Sequence, residues 1–178
     1  MTAYAFYESP FGLLKIGVAN GKVILIGVVP KADTVSQPTP LSTEVYRQLQ
    51  EYFARQRTVF TVPYAFQGTS FQHSIWEQIA KIPYGRTVTY KDIAQAIGKP
   101  RAFQATGRAV GANPLAILIP CHRVIGSNGE MTGYAYGLEM KKTLLDLEST
   151  SSVTCHNTLS HRQQSRLPEL SPFSPFND

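Results

Sequence analysis

Apolar residues gather near the N-terminus in three short β-rich runs, Thr2 to Glu8, Leu13 to Ala19 and Val23 to Val29. Pro10-Phe11-Gly12 and Asn20-Gly21 punctuate them, and Asn-Gly between apolar runs is a strong hairpin signal. A polar, proline-bearing connection follows from Pro30 to Pro40. The period then turns helical: Val45, Leu49, Tyr52 and Phe53 recur at helical spacing, with Ser42 or Thr43 as the expected cap. Thr58 to Val62 reads as a returning strand and Pro63 to Ser70 as a linker. This first part shows no catalytic constellation.

Beyond the linker the helical period dominates. Phe71, Ile75, Ile79 and Ile82 recur with Trp76 beside them, until Pro83-Tyr84-Gly85 breaks the run. Thr89 precedes a short helix, Tyr90 to Ile97, that Gly98-Lys99-Pro100 stops, with Pro100 suited to the first turn of the next. That next helix, Arg101 to about Gly111, is rich in small residues. Two short helices joined by a glycine turn make a helix-turn-helix pattern, which also occurs in proteins that never touch DNA. Asn113-Pro114 ends the second helix. Leu115 to Ile119 is an apolar run too short for a helix and reads as a buried extended segment. It delivers Pro120-Cys121-His122-Arg123-Val124. Gly126-Ser127-Asn128-Gly129 reads as a turn, Gly133 to Gly137 as a glycine- and tyrosine-rich loop, and Leu138 to about Glu148 as a last helix. From Ser149 serine, threonine, glutamine and proline take over, which predicts a disordered tail. Pro172-Phe173-Ser174-Pro175-Phe176 within it has the form of a docking peptide.

Composition narrows the classes. At 178 residues the chain can hold one large or two small domains. No apolar run reaches the roughly 20 residues that span a bilayer, and the N-terminus lacks a secretory pattern. A cytoplasmic monomer is expected, nuclear if the source is eukaryotic. Only two cysteines occur, Cys121 and Cys155, too few for a disulfide framework. Neither pairs with histidine at finger spacing, and Cys155-His156 with His161 makes at best a weak metal site, so no metal or cofactor is expected. The formal charge is +5. Lys81, Arg86, Lys91, Lys99, Arg101, Arg108 and Arg123 stand against the single acid Asp92 between them, a concentration that suits a polyanion or else a solvated basic face.

A cysteine followed by a histidine, after a proline at the end of a buried run, invites a nucleophile. The thiolate is the reactive form, so a base must take the proton. His122 could do so directly or through water, and Glu148, at the end of the last helix, could orient the imidazole. Spacing alone favours an inert buried cysteine, a histidine satisfied by backbone and a solvated glutamate over the catalytic reading.

Phe71 to Glu148 resembles the DNA-binding and active-site domain of the O6-alkylguanine-DNA alkyltransferases, also called methylated-DNA–protein-cysteine methyltransferases. The resemblance rests on Ile119-Pro120-Cys121-His122-Arg123-Val124, preceded by Asn113-Pro114 and followed by Gly133-Tyr134, with Gly85, Val88, Tyr90 and Ala94 upstream. It implies an α/β (α+β) fold: a small β-rich, ribonuclease-H-like domain over residues 1–66, a winged-helix or helix-turn-helix-like domain over 67–148, and a tail over 149–178. It implies stoichiometric, irreversible transfer of an alkyl group from O6-alkylguanine, or O4-alkylthymine, in double-stranded DNA to Cys121. His122 would be the water-mediated base, Glu148 its polariser, Asn113 a brace, and Tyr90 a donor to the flipped base. Arg101, Ala102, Gln104, Arg108, Arg123 and Tyr134 would meet DNA, with the helix-turn-helix docked in the minor groove and backbone groups around Cys121, Val124 and Tyr134 reading the guanine edge.

Two positions depart from the family. An arginine normally fills the gap left by the flipped base, and Gln104 stands there, with Arg108 one turn on. Tyr136 replaces one of the paired glycines found in some members, opposite Ala116, which should reshape the pocket. Two other readings use the same residues: a damage-binding module that does not react, against which Cys121 argues, and a regulator that uses the cysteine as a sensor.

Overall fold

The computed structural model describes residues 1–149. Cys155, His156, His161 and the Pro172–Phe176 peptide lie outside the described residues. Three antiparallel strands, β1 (Ala3–Ser9), β2 (Gly12–Ala19) and β3 (Lys22–Val29), form a meander in that order. The β2–β3 hairpin turns on Asn20 and Gly21, both at positive φ (50° and 70°), the conformation its Asn-Gly sequence favours. Helix α1 (Pro40–Phe53) packs on the sheet with Val45, Leu49 and Tyr52 inward.

The cap of α1 differs from expectation. Thr39 is the N-cap, with Pro40 at the first helical position and Ser42 completing a reciprocal capping box. Proline's missing N–H costs nothing there, so the helix starts earlier. Thr58 to Val62 forms no strand among the described residues. Instead Pro63 and Ala65 pair with Val23 through two backbone hydrogen bonds of 2.9 Å, a single bridge on the free edge of β3.

Helix α2 (Ser70–Ala80) starts from a Thr69 capping box and buries Ile75, Trp76 and Ile79. The two-residue strands β4 (Val88–Thr89) and β5 (Val124–Ile125) pair in parallel. Thr89 caps α3 (Tyr90–Ala96), as its sequence indicates. Gly98, at φ 71°, reverses the chain by donating to Gln95 O. Helix α4 (Phe103–Gly111) begins two residues later than expected, with Ala102 as an N-cap that offers no side-chain acceptor. Lys99 to Ala102 is spent on a turn, closed by Ala102 N–H to Lys99 O. Helix α5 (Leu138–Ser149) closes the described chain.

The sheet and α1 lie in the first sixty-six residues and α2–α5 beyond, yet buried residues from both form one apolar cluster, from Leu14, Ile16 and Leu49 to Ile79, Ile119 and Leu144. None of the described helices is long and apolar enough to cross a membrane.

One shared core predicts one unfolding transition. Leu49→Ala in α1 and Leu144→Ala in α5, both fully buried, should each cost about 2–5 kcal/mol. Each should shift Trp76 fluorescence and far-ultraviolet circular dichroism together in a urea titration. Separated transitions would break the single-core picture.

Candidate active site

The segment before Cys121 is a tight turn, which corrects the expected extended run. Leu115 alone bridges to Ile26 on β3. The chain then folds back: Leu118 N–H donates to Ala116 O and Ile119 N–H to Leu115 O. Ile117 sits at the centre with φ 68°, a strained conformation for a β-branched residue. An apolar run reads the same whether extended or coiled, so its composition could not separate the two.

Asn113 holds this turn from inside. Its Nδ2 donates to Ile119 O at 2.8 Å and lies 3.4 Å from Leu115 O, and its Oδ1 accepts from Leu115 N–H at 3.0 Å. The same Nδ2 reaches Cys121 Sγ at 3.2 Å. Cys121 opens a single 3-10 turn, Cys121–Arg123, and is nearly buried. Burial pushes its thiol pKa up, against smaller opposing effects of Asn113, Lys141 and the Tyr134 hydroxyl. Cys121 is therefore a protonated thiol at neutral pH, and the expected need for a base stands.

His122 is fully buried, and burial lowers its pKa despite the attraction of Glu148. It is thus neutral. Its Nε2 lies 2.7 Å from Glu148 Oε1. A carboxylate only accepts, so Nε2 carries the hydrogen and Nδ1 presents a lone pair. Nδ1 has no hydrogen-bond partner among the described residues although it is buried. Sequence reasoning placed both His122 and Glu148 here, and the structure joins them.

Glu148 gathers more donors than expected. Tyr52 Oη donates at 2.6 Å, Arg123 donates through Nε and Nη2 at 2.8 and 2.9 Å, and Gly85 N–H donates at 3.1 Å. Burial alone would raise its pKa, but the bonds from His122, Arg123 and Tyr52 hold it at about 2. Arg123 was expected to face DNA. It is buried instead, with its remaining donor 2.6 Å from Ile82 O, because the carboxylate needs a counter-charge.

Tyr90 and Tyr134 meet around the glycine-rich loop. The Tyr90 hydroxyl is engaged by Thr132 O at 3.0 Å and Gly133 O at 3.3 Å. It ties α3 to the glycine-rich loop. The Tyr134 hydroxyl is buried beside the thiol. Tyr136 meets Tyr134 edge-on at 5.7 Å between ring centroids and lies against β3, where a Cβ on Gly27 would come within 2.8 Å of its hydroxyl. Lys141 was read only as part of a helix. It is fully buried, with Nζ donating to Val124 O at 2.7 Å and Thr132 O at 2.9 Å. A lysine inside an amphipathic helix normally signals solvent, so the sequence carried no mark of it.

The other positions expected to meet DNA cluster on α4 and the turn before it. Arg101, Gln104 and Arg108 are exposed there, with Lys99 and Phe103, and Ala102 is partly covered. Of the seven basic residues between 81 and 123, six are exposed and only Arg123 is buried. Among the described residues no group of histidine, cysteine and acidic side chains could hold a metal ion.

A family described as the DNA-binding domain of 6-O-methylguanine DNA methyltransferase matches residues 70–150. A methylated-DNA–protein-cysteine methyltransferase of Methanosarcina acetivorans is 44% identical over 153 residues, covering 83% of this chain and 98% of its own. That of Methanosarcina barkeri is 54% identical over 108 residues, covering 61% of this chain and 68% of its own. The chain belongs to the methylated-DNA–protein-cysteine methyltransferase family. Among solved structures, the Mycobacterium tuberculosis O6-methylguanine methyltransferase superposes with a TM-score of 0.78 at 37% identity, covering 85% of this chain and 95% of that one. The Mycobacterium tuberculosis OGT solved in complex with DNA gives 0.77 at 39% identity, covering 83% and 93%. The α/β fold expected from the sequence is thus that of a methylated-DNA–protein-cysteine methyltransferase.

The buried carboxylate gives the methyltransferase a measurable acid sensitivity. Glu148 titrates at about 2 when folded against 4.5 for an unperturbed carboxyl. A lowered pKa means that the unfolded chain binds the proton first, so this stability is present above pH 4.5 and lost towards pH 2. The loss should amount to about 3 kcal/mol. His122, lowered from 6.5, acts in the same direction from a higher pH. Urea unfolding at a series of pH values should show this slope, and Glu148→Gln should remove the part between 4.5 and 2. An unchanged slope in that variant would refute the assignment.

Proposed function

We propose that this protein repairs alkylated DNA directly, by moving the alkyl group from O6 of guanine to Cys121 once per molecule. The observation that carries this reading is a neutral thiol followed in the same 3-10 turn by a neutral imidazole whose Nδ1 has no hydrogen-bond partner among the described residues and whose Nε2–H is anchored on Glu148.

His122 Nδ1 takes the thiol proton, directly or through one water. The sulfur then attacks the alkyl carbon, the carbon–O6 bond breaks, and its electron pair leaves on the guanine. The imidazolium then passes its proton to the departing guanine, His122 is neutral again, and a stable thioether remains on Cys121. The imidazolium formed on the way faces a carboxylate that is already ionised, while Asn113 Nδ2 donates to the developing thiolate. No cofactor enters the balance, and none restores the thiol. An alkyl group on thymine O4 is bonded in the same way and is open to the same displacement.

O6 is inaccessible inside a duplex, so the nucleotide must leave the stack. The exposed basic face of α3 and α4 supplies sequence-independent attraction to phosphates, and the small residues Ala102, Ala105 and Gly107 allow close approach in the minor groove. Gln104 fills the gap less well than arginine, because it lacks charge and a stacking plane. Tyr134 and Tyr136 beside the thiol narrow the space for the alkyl group. The protein acts as a monomer wherever DNA is housed, in the cytoplasm or a nucleus.

Incubation with a duplex carrying one O6-methylguanine should add one methyl to the intact mass, located on Cys121 and absent in Cys121→Ala. Lesion binding without mass gain would favour a recognition module, and neither would sink both readings. With the same assay, Gln104→Arg should raise the second-order rate by about tenfold, the worth of one charge-assisted contact. A benzyl adduct should react more slowly than methyl, and Tyr136→Gly should narrow that difference.

A further inference from the structure

The N-terminal half, which shows no catalytic constellation in sequence, sends one side chain into the reacting array. Tyr52 lies in the last turn of α1 and is fully buried. Its hydroxyl donates to Glu148 Oε1 at 2.6 Å, the oxygen that also accepts from His122 Nε2 at 2.7 Å. The hydroxyl stands 3.5 Å from His122 Nε2, so the two donors sit side by side on one acceptor.

We propose that Tyr52 is a positioning residue for alkyl transfer, governing the basicity of His122 by sharing Glu148 Oε1 with it. This rests on the reading of His122 as the base. A hydrogen bond to a charged acceptor withdraws part of its charge, so each donor on Oε1 weakens the hold of that oxygen on an imidazolium. Burial, reinforced by Glu148, pushes the Tyr52 hydroxyl far above the usual tyrosine range, and it stays a donor at every working pH.

The other charged or titratable groups around the pair are accounted for. Arg123 is tied to both carboxylate oxygens and Lys141 to the carbonyls of Val124 and Thr132. The Tyr84 hydroxyl donates to Leu147 O at 3.3 Å, and Cys121 lies on the Asn113 side. None of these shares Oε1 with His122 except Arg123, whose charge is fixed. The ring of Tyr52 is held independently of its hydroxyl, by Phe53 at 5.7 Å, Phe60 at 5.5 Å and Tyr84 at 6.0 Å between centroids. Tyr52→Phe therefore keeps the packing and removes one donor.

The rate of methyl transfer from O6-methylguanine DNA, followed by intact mass across pH, reads the effect. In Tyr52→Phe the acid limb of the profile should move up by about one pH unit, a loss of about tenfold below the limb, with the plateau reduced by less than about threefold. Replacing Tyr52 with a fluorinated tyrosine, a stronger donor that preserves the ring and the bond, should move the limb the opposite way. This second variant decides the matter if Tyr52→Phe folds poorly. A limb that stays in place in both variants, with rates unchanged or lowered equally at all pH, would overturn the proposal and leave Tyr52 as a satisfied core tyrosine. An acid limb that survives His122→Gln in the unmodified background would overturn the base assignment instead.

Discussion

A carboxylate without water has to be neutralised by the chain that buries it, and Glu148 makes that demand on the whole molecule. The cost of burying an ion is several kcal/mol even after relaxation. It is met here by donors from separate places: Tyr52 on α1, Gly85 after α2, and His122 and Arg123 on the turn that carries the cysteine. Each must arrive at once, so α1, α2, the cysteine turn and α5 are fixed relative to one another by one anion. Gly85 shows how tight the convergence is. Its φ is 72°, and a Cβ there would stand 3.2 Å from Glu148 O. Glycine takes this conformation without strain, and so lets its backbone N–H reach the carboxylate at low cost.

The second constraint is how the thiol is presented. A loop bent through Ile117 at positive φ would relax if left alone, at a gain of about 1–3 kcal/mol. Two devices prevent it. Asn113 bonds to the backbone on both sides of the bend, and the edge of β3 takes Pro114 O and Ala116 N–H into its ladder through Ile26. The small N-terminal sheet thus positions chemistry that it does not perform. Its free edge is blunted by the bridges at Val23 and Ile26, which also remove a template for aggregation.

Much of this was legible in the chain. Strand boundaries followed from the β-rich runs and Asn-Gly, α3 from Thr89, and the Cys121–His122–Glu148 set from its motif and helix end. What escaped was polar chemistry with an apolar disguise. Tyr52 kept the helical period of a core residue, and its hydroxyl has no signature in spacing. Lys141 and Arg123 looked like surface charges because such residues are almost never fully buried unless paired, and the pairing is tertiary. Leu115 to Ile119 failed for a related reason: burial fixes composition, but the direction of the backbone came from Asn113 and the β3 edge.

These features together explain why the nucleophile is at rest until DNA arrives. Oxidation of a cysteine tracks its thiolate fraction and its exposure, and Cys121 is low in both. A residue that can be spent only once gains from being inert in solution. The same burial that raises the thiol pKa lowers that of His122, so the pair starts uncharged, and the proposed proton transfer would create two opposite charges in a buried site. That separation is costly unless acceptors and donors are already in place. Asn113 Nδ2 stands at the sulfur and Glu148, ionised far below neutral pH, at the imidazole. The array is therefore arranged for the charged state it does not occupy at rest, and the alkyl group is what makes that state productive.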